Sequence, residues 1–352
     1  MTILIIAAAD DAHVPYVTQH LIKADADFVC FDPQDFPSRV AITVDYSQRG
    51  FKSLLLQLPD RTIDLQALTS VWNRARVRPK APTNALKEQQ WWIEESATRF
   101  LSELYECINC LWVPERPESE REPFRLTNPP NKEVGANPHR AQHPSPHNKL
   151  YQLQLAATLG FAIPPTRVTN DPDALLDFYE SSSRPLISKK AIPLANWRHG
   201  ERVQAYTHPV KPADIIRYQS VRYTPVVFQE NVAKHCELRV TVVGDQVFSA
   251  AIDSHASHRV ATDWRHYLDV GGERMYSIHT LPQEVHGRCI QLLKSLGLCY
   301  GAIDLILTPD GEYVFLEINP GGQWGWIENY TGLPISQAVA QLLMHPNQTI
   351  HS

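Results

Sequence analysis

What the sequence lacks narrows it first. There is no G-x-x-x-x-G-K-[ST] loop, and "IIAAADDAH" near the start has no G-x-G-x-x-G turn, so a P-loop ATPase and an ordinary dinucleotide-binding dehydrogenase are disfavoured. Apolar runs stay short of the ~18 residues that a membrane span needs, so no membrane partner is expected. The opening "MTILIIAAADDAHV" carries no basic residue ahead of its apolar run and two aspartates behind it. That is the pattern of a buried first strand rather than a signal peptide, and a cytoplasmic protein is expected. Cysteines are scattered at 30, 107, 110, 236, 289 and 299, and the single C-x-x-C, Cys107 and Cys110, has no second pair with which to close a zinc site. A disulfide framework is not expected in that compartment. Excess basic charge is missing too: the formal net charge of -5 gives no footprint for nucleic acid. No internal repeat is visible.

With 352 residues, 43% of them hydrophobic and 20% charged, the chain has room for about two to three domains. Residues 1–113 read as an α/β unit: "ILIIAA", a helix across Tyr16 to Lys23, "FVCFD", a strand at Leu68 to Trp72, and a long helix from about Leu86. In that helix Ile93, Ala97, Phe100, Leu104, Ile108 and Leu111 recur at steps of three and four. Residues 114–148, rich in proline and charge and without either period, read as a linker with a loop. His139, His143 and His147 recur there at every fourth residue, but Pro138, Pro144 and Pro146 break the helix on which they would chelate a metal. Residues 149–232 follow with the helix "KLYQLQLAATLG", stopped by Gly160 and Pro164-Pro165, then the capped "TNDPDALLDFYES" and the strands "PLISKK" and "PVVFQE". Residues 233–352 hold the hairpin "ELRVTVVGDQVFSAAID" turning at Gly244-Asp245, a helix around Val285 to Leu296, a last hairpin, and the closing helix "ISQAVAQLLM".

That last hairpin, "YGAIDLILTPDGEYVFLEIN", surrounds Asp310-Gly311, a pair favoured in two-residue type I′ turns. Such a turn sets Asp304 directly across from Glu317, with Cβ atoms about 4.5–5.5 Å apart on one sheet face. Asn319 projects from the same face by period two. Facing carboxylates are destabilising unless a cation sits between them, and three oxygen donors suit Mg²⁺ held together with substrate phosphates. The alternative is an exposed face of unremarkable carboxylates, and a three-residue turn would move Asp304 out of line.

Lys149 opens a helix and Lys189 ends a strand; each can hold a phosphate oxygen or simply lie at the surface. "VVFQENV", Val226 to Val232, is an apolar strand running into a polar break, a backbone able to meet an adenine edge. Glu237 and Arg239 share a face of the next strand, where the carboxylate can accept from ribose hydroxyls and the guanidinium can pair with phosphate or an acyl phosphate. A cross-strand ion pair accounts for them equally well.

Taken in order, Lys149, Lys189, "FQENV", "ELR", Asp304 and "EIN" resemble the series of the ATP-grasp superfamily. "VWNRARVRPKAP", "TNPP" ahead of Lys149, "PPTRVTNDP", "DWR" at Asp263 to Arg265 and "EINPGGQWGWIENYTGLPI" are similar more narrowly to the microviridin-type ligases that make graspetides. The resemblance covers most of the chain. It implies an α/β and α+β ATP-grasp fold: an N-terminal pre-ATP-grasp subdomain, a central subdomain over 149–232 and a C-terminal one over 233–352. It also implies ATP and two Mg²⁺, with Lys149 and Lys189 on the phosphates, Gln229, Glu230, Asn231 and Val232 at the adenine hinge, and Glu237 on the ribose. Asp304, Glu317 and Asn319 would hold metal, and Arg239 and Arg265 would steady the transferring phosphoryl group. The implied partner is a ribosomal precursor peptide with leader and core, whose Asp or Glu side chains are activated and joined in ω-ester or ω-amide bonds, and the implied assembly is a homodimer. A ligase adding an amino acid to a protein end shares every ATP residue, and a non-catalytic nucleotide- or peptide-binding protein is the alternative of another class. The segment after Lys189, "KAIPLANWRHGERVQAYT", departs from the family in lacking a glycine-rich lid. Trp324 and Trp326, alternating across Gly325, either line the acceptor side of the site or anchor the core.

Overall fold

A computed structural model describes residues 2–48, 50–75, 77–115, 144–190, 196–198, 201–203, 207–253 and 276–346. The chain begins with β1 (Thr2–Ile6), α1 (Val14–Lys23) and β2 (Asp27–Phe31), followed by β3 (Ala41–Ser47), β4 (Gly50–Gln57), β5 (Thr62–Asp64), β6 (Leu68–Asn73), α2 (Lys87–Glu106) and β7 (Leu111–Val113). β2, β1, β6 and β7 form a parallel sheet in that order, and β3, β4 and β5 a separate antiparallel one. Two readings change here. Leu111 continues the three-and-four spacing of α2 but belongs to β7, because the helix ends at its C-cap Cys107 and the next apolar residues pair with Ser70 to Trp72. The β3–β4 hairpin was not anticipated.

The middle of the chain holds α3 (Lys149–Thr158), β8 (Thr166–Thr169), α4 (Pro172–Ser181), β9 (Leu186–Lys190), β10 (Asn196–Arg198), β11 (Glu201–Val203), β12 (His208–Pro209), α5 (Pro212–Ile215) and β13 (Val226–Glu230). Asn148 caps α3, its side chain accepting from the backbone N–H groups of Leu150 and Tyr151 at 3.1 Å, and Asp171 caps α4 through Asp173 N–H. The sheet runs β12-β9-β13-β8, with Leu186 and Phe228 packed on Leu175 and Phe178 of α4. Most of the linker, including His139 and His143, lies outside the described residues, while His147 pairs with Glu115 at 2.9 Å.

The last part is β14 (Cys236–Val243), β15 (Gln246–Ile252), β16 (Tyr276–Ile278), α6 (Gln283–Ser295), β17 (Tyr300–Leu307), β18 (Tyr313–Asn319), α7 (Gly325–Thr331) and α8 (Ile335–Met344). Its sheet, β16-β15-β14-β17-β18, is antiparallel throughout. One face packs on α6 and α3 through Leu238, Val240, Ile303 and Phe315. The other meets the first sheet: Phe248, Ala250 and Tyr300 share a core with Ile3, Ile5, Val17, Leu21 and Val339. The N-terminal sheet is thereby packed against the same face that carries the candidate site. Among the described residues no helix is long and apolar enough to cross a membrane.

Candidate active site

The centre of the site is built across three strands. Arg239 on β14 lies opposite Asp304 on β17, and Asp304 lies opposite Glu317 on β18. Asn319 follows two residues later on the same face. The pairing is reached by a different route from the expected turn. Thr308 N–H donates to Glu312 O at 2.9 Å and Gly311 N–H to Thr308 O at 3.0 Å, with Gly311 at φ +87°, so the hairpin closes on three residues with a left-handed glycine. That turn alone would put Asp304 opposite Leu316. A β-bulge between Asp304 and Leu305 leaves Leu316 unpaired and returns Glu317 to Asp304.

Positive charge does sit against the two carboxylates. Arg239 Nη1 donates to both oxygens of Asp304, at 2.8 and 3.0 Å, and its Nη2 donates to Gln323 O at 3.2 Å. Lys149 Nζ stands 3.0 Å from Glu317 Oε2 and donates to Ile318 O at 3.2 Å and Asn319 Oδ1 at 3.4 Å. Asn319 Nδ2 donates to Glu317 and Asp304 at 3.1 and 3.3 Å. The electrostatics divides the pair. Burial, together with the charge of Glu317, raises the Asp304 carboxyl above its ordinary range although Arg239 opposes this. Burial acts on Glu317 in the same direction, but Lys149, the Asn319 hydrogen bond and the field of Lys189 outweigh it and hold that carboxyl at about 2.

The other expected residues fall around this centre. Lys189 on β9 pairs with Val227 of β13, and its charge helps to lower the Glu317 carboxyl. Gln229 is buried in β13, its Nε2 donating to Thr166 at 2.9 Å while its Oε1 has no hydrogen-bond partner among the described residues. Glu230 is turned to Ser183, accepting from that residue's N–H at 3.1 Å. Asn231 N–H is spent on Pro185 O, and Val232 packs against Ile306 and Val314. Glu237 is buried and paired with Lys234, a residue sequence reasoning passed over. Arg265 lies outside the described residues.

The two tryptophans separate. Trp324 is 1% exposed and sits edge-on to His13 and Tyr16, so it anchors the core and is corrected from a substrate contact. The strand-like alternation fails because Trp324 is the N-cap of α7. Trp326 is half-buried on that helix, 5.0 Å between ring centroids from Tyr276. His13 was also missed: its Nε2 accepts from Gly325 N–H at 3.2 Å and Trp324 N–H at 3.4 Å, the tautomer that leaves the proton on Nδ1, 3.5 Å from Asp11 Oδ1. The loop before α7 is thus held by His13 at the start of α1 and by Arg239 of the C-terminal sheet. Gly322 is obligatory in it, since a Cβ there would lie 2.8 Å from Arg239 Nη2 and 2.4 Å from Ala302 Cβ.

Whether these residues suit nucleotide and metal can be judged from their atoms. Asp304, Glu317 and Asn319 offer only oxygen, apart from one amide nitrogen that rotation exchanges, which is the donor set of a hard divalent ion. Two buried polar atoms of the site residues, Gln229 Oε1 and Arg239 Nε, have no partner among the described residues. An amine edge and a phosphate oxygen would satisfy them in turn. The residues fit the group.

An Arg-Asp-Glu-Asn cluster on one sheet, with Lys149 paired to its Glu317 and Lys189 carried on the second sheet, is the arrangement of a ligase of the ATP-grasp class. The chain belongs to the RimK-like ATP-grasp family, whose model matches residues 146–343, and residues 2–119 match the MvdD pre-ATP grasp domain. Enzymes of this family use ATP and Mg²⁺. Among solved structures, it is similar to a RiPP-associated ATP-grasp ligase of Chryseobacterium gregarium in complex with ADP and a leader and core peptide. That likeness has a TM-score of 0.82 and 25% identity, and covers 98% of this chain and 97% of that one. The macrocyclase MdnC of Microcystis aeruginosa MRC, bound with precursor peptide MdnA, gives a TM-score of 0.77 and 27% identity over 98% of this chain and 100% of that one. Among curated relatives, the ribosomal protein bS6--L-glutamate ligase of Salmonella paratyphi B is 30% identical over 198 residues, 55% of this chain and 62% of the relative. The chain therefore spans less than two thirds of the length of the curated relatives it matches.

Proposed function

We propose that this ligase activates Asp or Glu side chains of a ribosomal precursor peptide as acyl phosphates and closes ω-ester or ω-amide crosslinks between side chains of that peptide. The observation that carries the reading is the cluster of Arg239, Asp304, Glu317, Asn319 and Lys149 on the cleft face. The N-terminal match and the end-to-end likeness to peptide-modifying ligases favour a peptide over a single amino acid as acceptor. A glutamate ligase is the second reading, favoured by the curated relatives over residues of the ATP-grasp part alone.

In this reading Lys149 and Lys189 hold phosphate oxygens, the Gln229 to Val232 segment holds the adenine with Gln229 Oε1 as acceptor, and Glu237 holds the ribose. Asp304, Glu317 and Asn319 bind two Mg²⁺, which when bound offset the negative charge of the phosphates. Lys149, which neutralises Glu317 in the structure, is freed to turn to phosphate when divalent charge takes over that task. A peptide carboxylate oxygen then attacks the γ-phosphorus and ADP leaves. A Thr or Ser hydroxyl, or a neutral Lys amine, attacks the acyl carbon, the acyl C–O bond to phosphate breaks, and inorganic phosphate leaves with the proton that the hydroxyl or amine gives up. Arg239 opposes the protonation of Asp304 that burial and Glu317 favour, and its guanidinium steadies the charge that develops, a task shared with Arg265. Holding donor and acceptor side chains of one peptide together supplies much of the rate through effective concentration.

The test is the product of nucleotide turnover in the presence of peptide and hydroxylamine. ADP together with a peptide hydroxamate supports the scheme; AMP release, or ADP without hydroxamate, removes the acyl phosphate from it.

A further inference from the structure

Gln152 on α3 is a polar side chain with no exposed surface, and its amide is spent wholly on backbone groups, chiefly those of Ile318. Its Oε1 accepts from Ile318 N–H at 3.1 Å and its Nε2 donates to Ile318 O at 2.9 Å and to Pro146 O at 2.5 Å. β18 is an edge strand, so the side chain reproduces the paired donor and acceptor that a neighbouring strand would supply. Ile318 stands between Glu317 and Asn319. Its own side chain is locked from the opposite face, where a Cβ on Gly301 would lie 2.8 Å from Ile318 Cδ1. One turn earlier on the same helix, Lys149 donates to the same Ile318 O.

We propose that Gln152 is a positioning residue for the metal ligands: by gripping both polar groups of Ile318 it fixes the peptide units from which Glu317 and Asn319 project. The inference rests on the metal assignment made above. Its logic is that of groups that orient metal ligands without touching the ion. Rotation of either peptide unit flanking Ile318 swings one of those side chains off the common face; β17 holds this stretch from the inner side of the sheet, and Gln152 supplies the matching bonds on the open edge. The grip also joins the ligand strand to Pro146, where the described chain resumes after residues 116–143.

The experiment is Mn²⁺ binding to the full chain in the presence of ADP, followed by loss of the free-ion EPR signal. Gln152→Met, of similar length and without hydrogen-bonding groups, is expected to raise the Mn²⁺ dissociation constant about 10- to 100-fold, the range for such orienting groups. ADP binding without metal should be unchanged. Gln154→Met, on the exposed side of the same helix, should leave both constants unchanged. Gln152→Glu gives a second arm if Gln152→Met does not fold: the added negative charge alone would tighten Mn²⁺, whereas lost positioning weakens it. Weakening in the Gln152 variants supports the inference. An unchanged constant in them, with Glu317→Gln weakened, overturns it and leaves the metal assignment standing; an unchanged constant in Glu317→Gln overturns that assignment itself.

Discussion

Replacing Arg239 by Met separates the structural from the chemical role of the cluster. Arg239 is 5% exposed and gives Asp304 its only strong cationic contact among the described residues, both carboxylate oxygens meeting Nη1 within 3.0 Å. Removing one partner of a buried pair leaves an uncompensated charge and costs about 3–5 kcal/mol. Here Glu317 faces Asp304 across the ladder, which places the expectation at the upper end. In urea denaturation without nucleotide, Arg239→Met should therefore lose about 4 kcal/mol. The double variant Arg239→Met/Asp304→Asn should recover most of that loss, because the stranded charge is gone. ADP release should fall about 100-fold or more in both, since neither restores the donor aimed at the developing charge. A single variant as stable as the parent, or a double variant no more stable than the single, would refute the pairing argument. Undiminished ADP release would refute the catalytic one.

Glu317→Gln should raise the Mg²⁺ concentration needed for half-maximal ADP release about 10-fold or more, with less effect on ATP affinity at saturating metal. His13→Ala removes the acceptor for the Trp324 and Gly325 amides and should lower kcat while nucleotide binding persists, and His13→Asn should restore part of it. Acid sensitivity has a definite sign at Asp11. Burial would raise its carboxyl, but the His13 and Arg74 contacts outweigh this and hold it well below the carboxylate range. A group depressed in the folded state stabilises above its unfolded pKa of about 3.9 and loses that contribution as pH falls below it. Asp11→Asn should accordingly flatten the fall in urea stability between neutral pH and pH ~3.

Local chemistry explains which features could be read from the sequence. The Asn148 and Asp171 caps and the Gly244-Asp245 turn, which closes between Val243 and Gln246, are written in residues a few positions apart. The Asp304–Glu317 pairing was legible only through two departures that cancel: the three-residue turn shifts the register by one and the bulge at Leu316 shifts it back. Nothing local announces that bulge. The sequence left Trp324 open between the acceptor side of the site and the core, because the packing of His13 and Tyr16 upon it is settled only by tertiary contact. Gln152 and His13 escaped for the same reason, their partners lying 166 and 311 residues away. The spacing of Gln152 three residues after Lys149 is the one signal that pointed to it.

The central claim is that the ligase forms intramolecular bonds within a peptide. The direct measurement is the mass of a Thr-, Lys- and Glu/Asp-bearing precursor peptide after incubation with the protein, ATP and Mg²⁺, with ADP counted in parallel. The account predicts the loss of one water for each ADP formed, with fragmentation blocked between the joined side chains. A mass increase by one amino acid residue per ADP would contradict it and assign the cleft to amino-acid addition instead.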